Sequence, residues 1–330
     1  MNTYSPIRVG VAGATGYAGV ELVRRLARHP SVRLAAAMGS IGSEPRRIAA
    51  LNHIWDAPVK PLDVDELASL DAVFLATPDT LSAEVGPALA ARGPRVFDLS
   101  GAFRLRDKGL RQRWYPHSPD PALPVTYGLT ERYRSELEQA RLVACAGCYP
   151  TAAILSLQPL TAAGLLEPGI IIDAKSGVSG AGKTPSEPTH FSEIHGSMAA
   201  YGVFAHRHGV EIEQEVGLPI TFVPHLVPLD RGILETIYAR LRPGVDAAAI
   251  AAALEQAYCG SPFVRLTGAD LPEIKHVAHT NFCDIGWRVN AATNQLVLVV
   301  CIDNLVKGAA GQAIQNFNVA FGFPEATGLN

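Results

Sequence analysis

The sequence predicts an α/β fold: a doubly wound parallel sheet first, then an α+β region with a largely antiparallel sheet. Three observations carry this. Short β-type runs alternate with helix-type stretches over the first hundred residues. Past Leu142 the β-type runs become longer and more frequent. At roughly 150 residues per domain, the 330 residues make about two domains.

Each element can be justified in order. Residues 7–12 (IRVGVA) form a short apolar run, the mark of a buried strand. Residues 18–28 (AGVELVRRLAR) place Val20, Val23, Leu26 and Ala27 along one helical face. Residues 32–38, 72–76 and 95–99 read as further strands, and strands separated by helices pair in parallel. In the second part, 170–174, 220–224, 232–241 and 295–302 read as strands and 247–258 as a helix. The run 233–241 (ILETIYARL) interleaves polar residues as a β-ribbon does. A last helix-like segment, 311–321, is expected to return to the first domain. The cofactor domain is therefore expected to span 1–147 with 308–330, and a substrate and oligomerisation domain 148–307.

Composition narrows the function. Hydrophobic residues make up 48% and charged residues 18%, enough apolar material for two cores. Twenty-eight basic against thirty-one acidic residues leave a net charge of −3, without the basic excess that nucleic acid or an anionic membrane requires. Five cysteines make neither a disulfide framework nor a zinc array, so no metal and a reducing, cytoplasmic setting are expected. The opening MNTYSPIRVGVAG has no basic region or cleavage site of a targeting segment. The uncharged stretch 142–166 is long enough to cross a bilayer, but Gly147, Pro150, Pro159 and Gly164 break it into strand, loop and helix.

The strand at 7–12 runs into Gly13-Ala-Thr15-Gly16-Tyr-Ala-Gly19 and then a helix. Glycines there permit a tight turn and close approach of backbone amides to a pyrophosphate, the Rossmann-type signature. The second strand ends without the acid that binds an NAD ribose; Ser40, Arg46 and Arg47 stand nearby and suit a 2′-phosphate, so NADP is expected.

Cys148 lies where a loop meets the apolar helix-type run 152–160, with Pro150 suited to a first helical turn. A thiol at a helix start is a candidate nucleophile, whereas Cys259, Cys283 and Cys301 read as core. Cys145 and Cys148 also form a C-x-x-C pair, which keeps a redox or zinc reading open beside the nucleophile. His206 and His208 flank Arg207 on one side of an extended segment and are acid/base candidates. Gly177–Thr184 matches the P-loop pattern, the basis of a remote nucleotide-hydrolase alternative, but Pro185 and Pro188 deny it the long helix it needs.

Taken together, GATGYAG at 13–19, GCYPTA at 147–152, KSGVSGAGK at 175–183, YGVFAHRHGVE at 201–211, PHLVPLDRGIL at 224–234, KHVAHTNFCDIG at 275–286 and IDNLVKGAAG at 302–311 make the chain similar to the N-acetyl-γ-glutamyl-phosphate reductases of arginine biosynthesis, relatives of the aspartate-semialdehyde dehydrogenases. The resemblance runs over essentially the whole chain. It implies an NADPH-dependent reduction of an acyl phosphate through a thioester on Cys148, with His206 or His208 as acid/base. It further implies substrate contacts from Arg104, Ser179, Tyr201 and Glu211. Around the cofactor it sets Gly13, Thr15, Gly16, Gly19, Ser40, Thr77, Ser100, Ser176, Gly177 and Asn304, in a homo-oligomer. Two departures stand out: Cys145-Ala146 replaces the usual Asn-Pro, and Gly101-Ala102 the usual Ala-Asp. A substrate longer by one methylene, an aminoadipyl phosphate, is the close alternative, because one methylene is worth only about 1–3 kcal/mol in a pocket.

Overall fold

The alternation read in the first part becomes, in a computed structural model that describes residues 5–329, a six-stranded sheet. Its strands are β1 (Ile7–Ala12), β2 (Val32–Met38), β3 (Ala72–Leu75), β4 (Arg95–Asp98), β5 (Val125–Gly128) and β6 (Leu142–Cys145). They lie in the order β2-β1-β3-β4-β6-β5 with every pairing parallel. α1 (Tyr17–Leu26), α2 (Val64–Ala68), α3 (Asp79–Arg92), α4 (Lys108–Trp114) and α5 (Thr130–Gln139) connect them. Asp63 and Asp107 start α2 and α4 by accepting backbone N–H groups of their first turns. The chain leaves β1 for β2 on one side and β3 on the other, so the strand order reverses beside the loop after β1.

The described chain divides into two units, one running to Ala146 and resuming at Ala309, the other Gly147–Gly308. The second opens with α6 (Cys148–Ala162), β7 (Ile170–Gly177), α7 (Phe191–Ile194), β8 (Ala199–Ala200) and α8 (Arg207–Val216). It continues with β9 (Ile220–Val227), β10 (Ile233–Arg240), α9 (Ala247–Tyr258), β11 (Val264–Gly268), α10 (Ile274–Val277), β12 (Cys283–Asn290) and β13 (Gln295–Ile302). The sheet order is β11-β12-β13-β10-β7-β9-β8. It is mixed: β7 with β9 and β11 with β12 are parallel, and the remaining neighbours antiparallel. Strand parity buries Ile233, Glu235, Ile237 and Ala239 of β10 on the face that carries α6. On the other face Ile171 and Tyr238, paired in register, remain exposed. α6 is apolar on all sides because it is buried on all sides. Among the described residues no helix is long and apolar enough to cross a membrane.

The returning helix, α11 (Gly311–Ala320), belongs to the first unit. Phe317 packs against Phe74 and Phe97 at ring-centroid distances of 5.7 and 5.8 Å. Its polar residues are equally committed: Asn316 donates to the Gly128 carbonyl at 3.0 Å, and Asn318 pairs with the His29 ring at 2.9 Å.

Candidate active site

The first unit builds a nucleotide cradle from the loop after β1. Gly13 has φ +78°, and a Cβ there would stand 2.2 Å from the Ala76 carbonyl oxygen; one at Gly19 would stand 2.1 Å from the Gly13 oxygen. Only glycine lets the loops after β1 and β3, and the start of α1, come this close. Gly16 is different: its Cβ would meet nothing nearer than 3.6 Å, and it caps α1 without a side chain. The first turn of α1 carries no acidic residue, so its amides suit a phosphate. The residues present therefore fit a dinucleotide. Thr15 lies in this loop, and Thr77 follows β3, its hydroxyl 2.8 Å from that of Ser82. Ser40, Arg46 and Arg47 are exposed after β2.

Ser100 and Arg104 of this unit are more committed internally. The Ser100 hydroxyl donates to buried Asp98 at 2.8 Å and accepts the Ala102 N–H at 3.2 Å. Burial raises the Asp98 carboxyl above the usual range, while hydrogen bonds from Ser100 oppose that rise. Arg104 donates to the carbonyls of Cys145 at 2.8 Å and Leu99 at 2.6 Å. Cys145 is buried, its sulfur 3.7 Å from the Asn316 amide nitrogen; burial, helped by the Asp98 charge, pushes its thiol up to about 12.

In the second unit Cys148 is the first residue of α6, behind Gly147, which caps the helix in extended conformation. A nucleophile here has the positive end of the helix beneath it. A Cβ at Gly308 would lie 2.8 Å from the Cys148 Cβ, so the chain after β13 passes directly over this turn. That segment is anchored by Asp303, whose carboxylate accepts from the Leu305 and Val306 amides and the His279 amide, and pairs with Arg231 at 3.1 Å.

Tyr149 links the Cys148 turn to the histidines. Its ring stands edge-on to His206 and His208 at 6.0 and 5.9 Å and to Phe222 at 5.3 Å. Its hydroxyl meets that of Tyr201 at 3.3 Å and donates to the His225 carbonyl at 3.2 Å. Desolvation raises both phenols above the ordinary tyrosine range, and negative charge on Cys148 adds to the rise. His206 caps α8: its Nδ1 accepts the His208 amide hydrogen at 3.1 Å, which leaves the ring proton on Nε2. Burial, with Arg207 beside it, lowers the His206 pKa to about 4, so the ring is neutral at neutral pH. Glu211, fully buried one turn into α8, accepts the Gly147 N–H at 2.9 Å.

Cys148, Tyr201, His206, His208 and Glu211 are thus gathered around one helix terminus. Ser176 reaches the same group through its interaction with Tyr149. Ser179 and Asn304 form a separate pair, the Asn304 amide donating to the Ser179 hydroxyl at 2.9 Å while its oxygen accepts the Gly232 N–H at 2.7 Å. Gly177 stands beside them, its absent Cβ making room for Arg231. Tyr149 and Phe222 were not among the expected site residues. Tyr149 could have been found from its place beside the cysteine, but Phe222 carries no local signal. Among the described residues no cluster of histidine, cysteine or acid could hold a metal ion.

Known proteins resemble both parts of the chain. Residues 8–140 match the semialdehyde dehydrogenase NAD binding domain, and 148–304 the semialdehyde dehydrogenase dimerisation domain. The chain is 45% identical over 339 residues to an N-acetyl-γ-glutamyl-phosphate reductase of Symbiobacterium thermophilum, covering 98% of this chain and 97% of the relative. One from Geobacillus stearothermophilus is 43% identical, with 98% of each chain covered. Among solved structures, aspartate semialdehyde dehydrogenase II of Vibrio cholerae, complexed with ASA, superposes with a TM-score of 0.72 at 18% identity, over 97% of this chain and 99% of that one. The Candida albicans aspartate semialdehyde dehydrogenase with NADP gives 0.70 at 15% identity, over 96% and 98%. At these identities the likeness is one of fold.

Proposed function

The chain belongs to the N-acetyl-γ-glutamyl-phosphate reductase family, and from that premise we propose that it reduces N-acetyl-γ-glutamyl phosphate to the semialdehyde, a step of arginine biosynthesis, through a thioester on Cys148. The observation that carries this reading is Cys148 at the first position of α6, in one cluster with a neutral, capped His206. The Cys148 thiolate attacks the acyl carbon; a C–S bond forms, the C–O bond to phosphate breaks, and phosphate leaves. The glycine loop of Gly13, Gly16 and Gly19 would hold NADPH, which when bound would supply the hydride for reduction of a thioester. His206 donates a hydrogen bond through Nε2, first to the resting Cys148 thiolate and then to the oxygen on which charge develops, as a neutral imidazole can. Collapse of the tetrahedral intermediate breaks the C–S bond and returns the thiolate.

NADP is preferred because Ser40, Arg46 and Arg47 stand where an acid would favour NAD. The chain works as a homo-oligomer in the cytoplasm, a second copy covering the sheet face that exposes Ile171 and Tyr238. The purified protein should reduce NADP in the presence of phosphate and N-acetylglutamate semialdehyde, and sediment above the 35.0 kDa monomer. Turnover only with the aminoadipate semialdehyde would transfer the assignment to the longer substrate, and no turnover with either would remove it.

His206→Asn should lower kcat by about 10²–10³-fold, the usual cost of losing one donor to a developing oxyanion. His208→Asn should cost only a few-fold. Because the His206 ring stays neutral down to about 4, it contributes no limb to the kcat–pH profile between pH 6 and 8. A histidine limb near 6.5 that disappears in His206→Asn would refute the neutral-donor role.

A further inference from the structure

We propose that Glu211 is a positioning residue that fixes the geometry between Cys148 and His206. The inference rests on the reading of Cys148 as nucleophile and His206 as its hydrogen-bonding partner, and adds what holds the two in register. α8 carries His206 at its N-cap and Glu211 one turn further along. α6 carries Cys148 at its first position, immediately after Gly147. The Glu211 Oε1 to Gly147 N–H bond, 2.9 Å long and spanning 64 residues of sequence, joins the start of one helix to the start of the other.

Three features make this a brace. The Glu211 side chain has no exposed surface, so it is held by packing as well as by its bond. Gly147 has only its backbone amide to offer, and that amide is one of the donors at a helix start without an intrahelical acceptor. Further into the turn, Pro150 has no N–H, and the Thr151 N–H already returns to the Gly147 carbonyl at 2.8 Å. A buried carboxyl bonding to the amide next to a nucleophile can therefore set where that nucleophile sits relative to the other end of its own helix. A shift of about 1 Å at a catalytic group can cost about 100-fold in rate.

The test is a double-mutant cycle read on the thiol itself, the rate of Cys148 alkylation by iodoacetamide across pH. In the parent, His206→Asn should slow alkylation at pH 7 about 10-fold, because the thiolate loses its imidazole donor. In Glu211→Met, which keeps the side-chain volume without the acceptor, the same His206 change should have less than a twofold effect. Glu211→Gln retains an oxygen for the Gly147 N–H and should restore both the His206 dependence and most of the kcat lost in Glu211→Met, with KM for NADPH unchanged in all three. Equal His206 effects in parent and Glu211→Met would overturn the brace while leaving the His206 role intact. No His206 effect in the parent would overturn both, and failure of Glu211→Gln to restore the coupling would overturn the hydrogen bond as its carrier.

Discussion

Cys148→Ser is expected to lower turnover by at least about 10⁴-fold while leaving NADP binding unchanged, whereas Cys145→Ser stays within a few-fold of the parent. The two thiols differ by position more than by distance along the chain. Cys148 begins α6, where the helix dipole favours a thiolate. Cys145 ends β6, buried, with its sulfur next to the Asn316 amide and its pKa raised to about 12, beyond what neutral solution can ionise. A serine hydroxyl at 148 lacks the acidity that the helix start confers on a thiol, so the thioester does not form. At 145, serine preserves a small buried group facing Asn316. Cofactor titration by fluorescence, alongside steady-state turnover, separates loss of chemistry from loss of binding. Equal loss of turnover in both variants would revive a dithiol or metal site built on the C-x-x-C pair.

Much of this was legible in the sequence, and the remainder has identifiable physical causes. The strands Ile7–Ala12, Val32–Met38 and Gln295–Ile302 and the helix Ala247–Tyr258 have the bounds their apolar patterns predict. β5, β8, β11 and β12 lie outside the runs that read as strands in the sequence. Val125–Gly128 is short and owes its place to pairing with β6. Cys283–Asn290 contains a buried acid, Asp284, which only a bidentate pair with Arg265 at 2.6 and 2.7 Å makes compatible with a strand. The P-loop match after β7 leads to short 3₁₀ turns at Val178–Ala181 and Glu187–Thr189, as the prolines require. Within the site, Cys148 could be found from its neighbours in sequence. The Glu211–Gly147 bond could not, because nothing local to either residue specifies a partner 64 positions away.

Glu235 gives the second large expectation, and it concerns stability. Within the interleaved run 233–241, strand parity puts Glu235 with Ile233 and Ile237 on the buried face. Its register neighbours are Ala174 of β7 and Val300 of β13, and neither carboxyl oxygen has a hydrogen-bond partner. Burial alone raises its pKa well above the carboxylate range. The Cys301 thiol, one residue along from Val300, is itself pushed up by burial first and then by Asp284 and Glu235.

The sign follows from proton binding. The folded chain holds a proton on Glu235 that the unfolded chain releases above about 4.3, its ordinary value. The contribution of this group to stability is therefore complete below that pH and is lost as pH rises through the folded-state pKa, at about 1.4 kcal/mol per unit. Glu235→Met removes both the ionisation and the unmet hydrogen bonds at similar volume. It should stabilise the protein by about 1–3 kcal/mol below about pH 4, the cost of an unsatisfied buried polar group, and by more at pH 7, where the cost of holding the proton adds to it. That corresponds to a Tm rise of about 2–4 °C per kcal/mol. The gain should grow between pH 5 and 8, and Glu235→Gln, which keeps the unmet polar atoms, should remove the pH dependence while gaining less. Melting curves for parent and Glu235→Met that shift in parallel with pH would mean that the carboxyl titrates alike in the folded and unfolded chains.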